Sequence, residues 1–270
     1  MEAYLSTLFG LKGKTALVTG GTRGIGRALT VALASAGCDI VLLVRSPNSP
    51  ENQSIASEIA SIGQKCRTYE WDLDVLSEAP LIITQLCRAH EFDIFVHCAG
   101  LQHRAPAEDF PDAAWDNVIG VNLTAGFKIS RELAKHWLNT SLKTPMTPES
   151  VAGKKRIIFI ASMTTFTGSI EIPAYTASKG AIGQLTKALN NEWMAKGINV
   201  NAIAPGYIET ELTAAIKDGS EKEAKILDRI PAGRWGLPAD LAGSVIHLCS
   251  RSGDYIGGEV HAVDGGYLGR

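Results

Sequence analysis

The 270-residue sequence has no apolar run near the ~18 residues needed to span a bilayer. Its opening, MEAYLSTLFGLKGKTALVTGG, lacks a basic region followed by an apolar core of the kind that directs secretion. We therefore expect a soluble, cytoplasmic protein. Neither sign of charge is in excess: 26 Lys and Arg oppose 28 Asp and Glu, which gives no electrostatic reason to expect nucleic acid or an anionic membrane as partner. A small molecule is the expected partner. Cysteine is sparse, and Cys38, Cys66, Cys87, Cys98 and Cys249 show neither a CxxC pair nor metal-ligand spacing. They read as reduced, structural thiols, and no metal site is expected. Repeats and low-complexity tracts are also lacking.

What is present is alternation. The β-prone run KTALVT (14 to 19) leads through a glycine cluster into the helical stretch IGRALTVALASAG, ending on Gly37. DIVLLV (39 to 44) precedes a helix near 51 to 63, CRTYEW (66 to 71) one near 77 to 90, and DIFVHC (93 to 98) one long helix from about Asp112 to Leu138. RIIFIAS (156 to 162) ends on Ser162, a second long helix runs from Tyr175 to Lys196, and INVNAIAP (198 to 205) follows. A helix near 238 to 250 and a strand near 259 to 263 complete the pattern. Strand and helix in turn imply one α/β domain over 1 to 270, a doubly wound, seven-stranded parallel sheet of Rossmann type in three α/β/α layers. Residues 139 to 155 read as an exposed, lengthened loop, and 206 to 236, punctuated by Gly206, Gly219, Pro231, Gly233 and Gly236, as a candidate lid.

Between the first strand and helix stands Thr19-Gly20-Gly21-Thr22-Arg23-Gly24-Ile25-Gly26. Glycines there let the backbone turn sharply and approach a pyrophosphate, which meets the N–H groups of the helix start. An acidic residue closing the second strand selects a ribose 2′-hydroxyl, and an arginine suits a 2′-phosphate. This strand ends Val44-Arg45, with no acid before Glu51, and Arg23 offers a second guanidinium. NADP(H) is expected over NAD(H). Tyr175 and Lys179, four residues apart, share a helix face, where an ammonium would depress the tyrosine pKa. A serine hydroxyl at Ser162 can hold a carbonyl oxygen while the tyrosine protonates it.

With Gly20, Gly24 and Gly26, Asp72, and the set Asn122, Ser162, Tyr175 and Lys179, the chain resembles a short-chain dehydrogenase/reductase over essentially its whole length. The resemblance implies an NAD(P)-dependent oxidoreductase acting on CH–OH and C=O, with those four residues catalytic. It also implies that Asn122 kinks its helix and holds a water in a proton relay from Lys179. Asp72 would meet the adenine amino group. Thr22, Ile25, Leu73, Ala99 and Gly100 join the expected cofactor contacts, as do Pro205, Gly206, Ile208, Thr210, Tyr175 and Lys179, the last at the nicotinamide ribose. Where the family has Asn-Asn-Ala-Gly, this chain has His97-Cys98-Ala99-Gly100, and His97 reads as a hydrogen-bonded structural residue.

The second half, including Ile226 through Pro238, is more closely similar to the bacterial 2-dehydro-3-deoxy-D-gluconate 5-dehydrogenases, which implies a keto sugar acid as substrate. His103, Arg104, Met163, Tyr207 and Arg234 are the candidate substrate contacts. A ketoreductase of a natural-product pathway and a non-catalytic NADP(H)-sensing protein stand as alternatives. Pairing through the two long helices into a homodimer or homotetramer is expected by the same resemblance.

Overall fold

A computed structural model describes residues 2–142, 155–214, 216, 217 and 219–270. Most of the predicted loop at 139 to 155 lies outside them. The strands fall where the apolar runs place them: β1 Thr15–Thr19, β2 Asp39–Val44, β3 Cys66–Glu70, β4 Ile94–His97, β5 Lys155–Ile160, β6 Ile198–Pro205 and β7 Val260–Val263. They form one parallel sheet in the order β3-β2-β1-β4-β5-β6-β7. Every residue of β4, β5 and β6 is buried, as expected of parallel strands covered on both faces.

The helices are α1 Glu2–Phe9, α2 Gly24–Ser35, α3 Pro50–Ser61, α4 Ala79–Ala89, α5 Asp112–Ile119, α6 Ala125–Asn139, α7 Pro173–Trp193, α8 Glu221–Asp228 and α9 Ala242–Cys249. Local chemistry sets several ends. Gly37, at φ 103°, turns the chain out of α2, and Ser49 caps α3 by accepting the Asn52 N–H at 3.3 Å, with Pro50 at the first helical position. Two apolar layers cover the sheet. Leu17, Phe95, Ile157 and Phe159 face Ile129, Leu133 and Trp137 of α6 and Ile182 of α7. On the other side Val18, Ile40, Leu42 and Ile158 face Leu29 and Leu33 of α2, Ile55 of α3 and Val245 of α9. No described helix is long and apolar enough to cross a membrane.

Two elements differ from expectation. The long helix that periodicity predicts from Asp112 is broken: α5 and α6 are joined by a π turn at Gly120–Thr124, centred on Asn122, where the resemblance implies a kink. Turns of this kind widen the helix by one residue and leave carbonyls free of the regular ladder. The short α1 had no counterpart in the sequence reading; it leaves Tyr4 and Leu5 exposed.

In doubly wound sheets ligands bind beyond the strand C-termini where the strand order reverses. Here that is the crevice between β1 and β4. The glycine loop, Ala99-Gly100, Ser162 and Pro205-Gly206 all lie at strand C-termini on this edge.

Candidate active site

The glycine loop is packed as tightly as its composition suggests. A Cβ on Gly26 would stand 1.9 Å from the Gly20 carbonyl oxygen, and one on Gly20 would stand 2.6 Å from the Ala99 nitrogen. Gly20 and Gly24 have φ of 65° and 51°, which favours glycine. The first turn of α2 has no acidic residue and no side-chain cap, so a pyrophosphate would meet neither competitor nor repulsion there. Thr210 closes over the loop, its Cγ2 lying 3.5 Å from where a Gly24 Cβ would be. These features fit a dinucleotide.

Around Gly100 two polar side chains converge: a Cβ there would lie 3.5 Å from Asn122 Oδ1 and 3.8 Å from Lys179 Nζ. The Asn122 amide is held on three sides. Its Oδ1 accepts the Leu101 N–H at 2.9 Å, and its Nδ2 donates to the Leu101 carbonyl at 3.0 Å and to Ser178 Oγ at 3.1 Å. Lys179 is buried and donates to the Ile160 carbonyl at 2.6 Å, with Nζ 5.4 Å from the centroid of the Tyr175 ring. Burial brings its pKa down to about 8. Ser162 Oγ accepts the Thr164 N–H at 3.1 Å.

Tyr175 departs from expectation. Burial, the largest cause, pushes its pKa above the ordinary tyrosine value, and the hydrogen bond with Ser162 acts in the opposite sense. The phenol therefore keeps its proton at neutral pH.

His97 stands between Thr19, at the end of β1, and the π turn. It is buried; its Nε2 lies 3.1 Å from the Val121 carbonyl and its Nδ1 lies 2.9 Å from Thr19 Oγ1. Burial, with the Lys179 charge, lowers its pKa to about 4. It is a neutral, doubly bonded histidine.

A sequence model of the short chain dehydrogenases matches residues 14–221. The chain belongs to the short chain dehydrogenase family. It is an oxidoreductase that works with a nicotinamide cofactor on CH–OH and C=O groups. It is 44% identical to the 2-dehydro-3-deoxy-D-gluconate 5-dehydrogenase of Pseudoalteromonas atlantica over 264 residues, covering 97% of this chain and 98% of that one. Identity to the enzyme of the same name from Bacillus subtilis is 42%, over 99% of each chain. Among solved structures, the gluconate 5-dehydrogenase of Burkholderia cenocepacia, in complex with NADP and tartrate, superposes with a TM-score of 0.88 at 33% identity, over 98% of this chain and 99% of that one.

As a short chain dehydrogenase the protein places its other predicted residues unevenly. Arg45 is exposed just past β2, and Leu73 is buried and Asp72 exposed beyond β3. Arg23 is not free: its Nη1 lies 2.8 Å from the Glu211 carboxylate, 188 residues away, and it also faces Glu51. Ile208 is buried and bridges to Gly236, which ties down both ends of the candidate lid.

Near the mouth, His103 packs edge-on to Phe110, and Arg104 Nη1 stands 3.7 Å from the Glu171 carboxylate. Met163 is half-buried one residue beyond Ser162. Tyr207 is half-buried between Trp235 and Tyr267, with Arg104 near enough to act on its phenol. Arg234 is committed elsewhere, with both Nη atoms on Asp240, at 2.7 and 3.1 Å, and Nη1 also on the Trp235 carbonyl.

Sequence reasoning missed Glu171, which at φ 64° is the one non-glycine in the left-handed region among the described residues. Its carbonyl accepts the Ala105 N–H at 3.0 Å, stitching the Arg104 loop to the approach of α7. Such backbone costs roughly 1–3 kcal/mol and clusters at functional sites.

Proposed function

We propose that this chain interconverts a ketone and a secondary alcohol on a sugar acid with NADP(H), and that Asn122, Ser162, Tyr175 and Lys179 carry the chemistry. The observation that carries the reading is that Lys179 Nζ and the Asn122 amide meet beside Gly100, with the Tyr175 ring 5.4 Å from Nζ and the Ser162 hydroxyl bonded to Tyr175, at the strand ends that the glycine loop also lines. We read residues 1 to 270 as one dinucleotide-binding and catalytic domain.

When bound, the nicotinamide would supply the hydride in reduction and accept it in oxidation. The Ser162 hydroxyl holds the substrate oxygen. Tyr175, kept protonated at neutral pH by burial, donates its proton to that oxygen in the reducing direction and takes one in the other. Lys179, with a pKa near 8, remains mostly an ammonium at neutral pH and restores the tyrosine proton through a path bordered by the Asn122 amide. The family's lysine contact with the nicotinamide ribose requires Nζ to exchange the Ile160 carbonyl for the sugar hydroxyls.

For the cofactor, Gly20, Thr22, Gly24, Ile25 and Gly26 form the pyrophosphate cradle, Asp72 and Leu73 the adenine edge, and Ala99, Gly100, Pro205, Gly206, Ile208 and Thr210 the nicotinamide end. Arg45, exposed and without an acidic partner on its strand, favours the 2′-phosphate; Arg23 joins it on leaving Glu211. That exposed pair is worth only about 0–1 kcal/mol and yields readily to a phosphate. Arg104 is the carboxylate contact: its 3.7 Å pairing with Glu171 is loose, and the Gln102 amide oxygen, which accepts from its Nε and Nη2 at 3.1 Å, is a neutral partner that a charged carboxylate displaces from that bidentate face. His103, Met163 and Tyr207 line the same mouth, and Arg234 is dropped from it. The segment 206 to 236 acts as the lid.

Purified protein incubated with 2,5-diketo-3-deoxygluconate and NADPH or NADH tests both halves. Turnover with NADPH in preference to NADH is expected. Absence of turnover refutes the sugar acid, and equal affinity for the two cofactors refutes the phosphate reading. Pairing of two copies through α5, α6 and α7 is read by light scattering, where a monomer contradicts it.

A further inference from the structure

His97 replaces an asparagine of the family pattern, and its contacts reach further than a bond between strands. The Val121 carbonyl can only accept, so His97 carries its proton on Nε2 and donates to that carbonyl at 3.1 Å. Nδ1 then accepts from the Thr19 hydroxyl at 2.9 Å, and Thr19 Oγ1 in turn accepts the Ala99 N–H at 3.3 Å. One unbroken chain of donors thus runs from the cofactor floor at Ala99 to the π turn. Val121 is the residue before Asn122, inside that turn.

The ring has a seat made for it. A Cβ on Gly126 would stand 2.7 Å from His97 Cδ2, so the first turn of α6 accepts an imidazole because residue 126 is glycine. Phe95 and Phe159 pack on the ring at centroid distances of 6.1 and 6.4 Å. The charged side chain acting on it is Lys179, which opposes protonation, while the next residue, Cys98, is kept an uncharged thiol by burial.

We propose that His97 is a positioning residue for the reaction: by holding the Val121 carbonyl it fixes the π turn and so sets Asn122 against Lys179. The proposal rests on the reading that Asn122 and Lys179 belong to the proton path. A widened turn has a carbonyl outside the helical ladder, and a carbonyl buried without a donor is costly. Satisfying it from the strand below couples the turn to the sheet.

Two substitutions separate the bonds of this side chain. His97→Asn puts an acceptor near the Nδ1 position and keeps the link to Thr19, but does not reach Val121. His97→Gln puts an N–H near the Nε2 position and keeps the link to Val121. Deuterium exchange over 120–126 and steady-state kinetics with NADPH and a keto sugar acid are measured on the full-length protein.

His97→Asn is expected to speed exchange over 120–126 roughly tenfold. It should lower kcat roughly ten- to a hundredfold while the KM for NADPH stays within about twofold. His97→Gln should restore both to near wild type. A purely structural tie between strands predicts no such split, because both variants would then lose stability without a selective fall in kcat. Equal exchange over 120–126 in the Asn variant and the wild type, or equal kcat in the two variants, overturns the proposal. If His97→Asn does not fold, Gly126→Ala, which pushes on the ring, should give the same faster exchange; unchanged exchange there counts against the proposal. Tyr175→Phe, run alongside, leaves exchange unaltered; if it retains turnover the reaction reading fails while exchange still decides the role of His97.

Discussion

Acid is the perturbation that reads the His97 site most cleanly. A free histidine titrates near 6.5, whereas His97 in the folded protein titrates near 4, chiefly through burial and secondarily through the Lys179 charge. Because the folded pKa is the lower one, the unfolded chain binds more protons between those two values. Stability from this group is therefore complete above about pH 6.5 and falls away as pH drops towards 4. The difference corresponds to about 3 kcal/mol over the full window and somewhat less at pH 4.5. Carboxylates and the other histidines also titrate in this range, so the wild type alone does not isolate the effect. His97→Gln does, since it removes the one proton and leaves the rest. Urea unfolding at pH 7.5 and pH 4.5 should show wild type losing about 2–3 kcal/mol more than the variant. Equal acid sensitivity, within ~0.5 kcal/mol, would refute the argument that His97 is held neutral.

Other expectations concern single atoms. Gly26→Ala places a methyl 1.9 Å from the Gly20 oxygen; the loop must open, at a cost of about 1–3 kcal/mol, and NADPH affinity measured by calorimetry should fall at least about fivefold. Unchanged affinity would mean that the loop does not cradle the cofactor. Asp254→Ala strips the carboxylate from Arg156, a buried side chain whose Nε and Nη1 already lack partners. Unfolding should become easier by roughly 3–5 kcal/mol, and a loss under 1 kcal/mol would show that water reaches the guanidinium.

The sheet was legible because its strands are apolar throughout: RIIFI and INVNAIAP admit few other readings, and the glycine spacing marks the first strand-to-helix turn. Ser162, Tyr175 and Lys179 were legible as candidates for a similar reason, as they share a local spacing or lie at a strand end, whereas Asn122 came only from the family resemblance. The rest depends on contacts between distant parts of the chain. Arg23 meets Glu211 across 188 residues, and Thr19 meets His97 across 78, so neither pairing has a sequence signature. Periodicity runs on either side of the π turn and does not show it; the break at Asn122 was visible only through the family resemblance. The direction of the Tyr175 shift follows chiefly from burial, a tertiary property. Arg234 had a visible signal that went unused: an aspartate six residues on, past the turn at Leu237-Pro238.

The account stands on Tyr175 as the group that moves the proton. Tyr175→Phe keeps the ring and removes one oxygen, so NADPH binding, followed by fluorescence, should stay within about twofold of wild type. NADPH oxidation in the presence of a keto sugar acid should fall by at least roughly a hundredfold, the scale of a lost general acid. Turnover within threefold of wild type with cofactor binding intact would contradict the central claim.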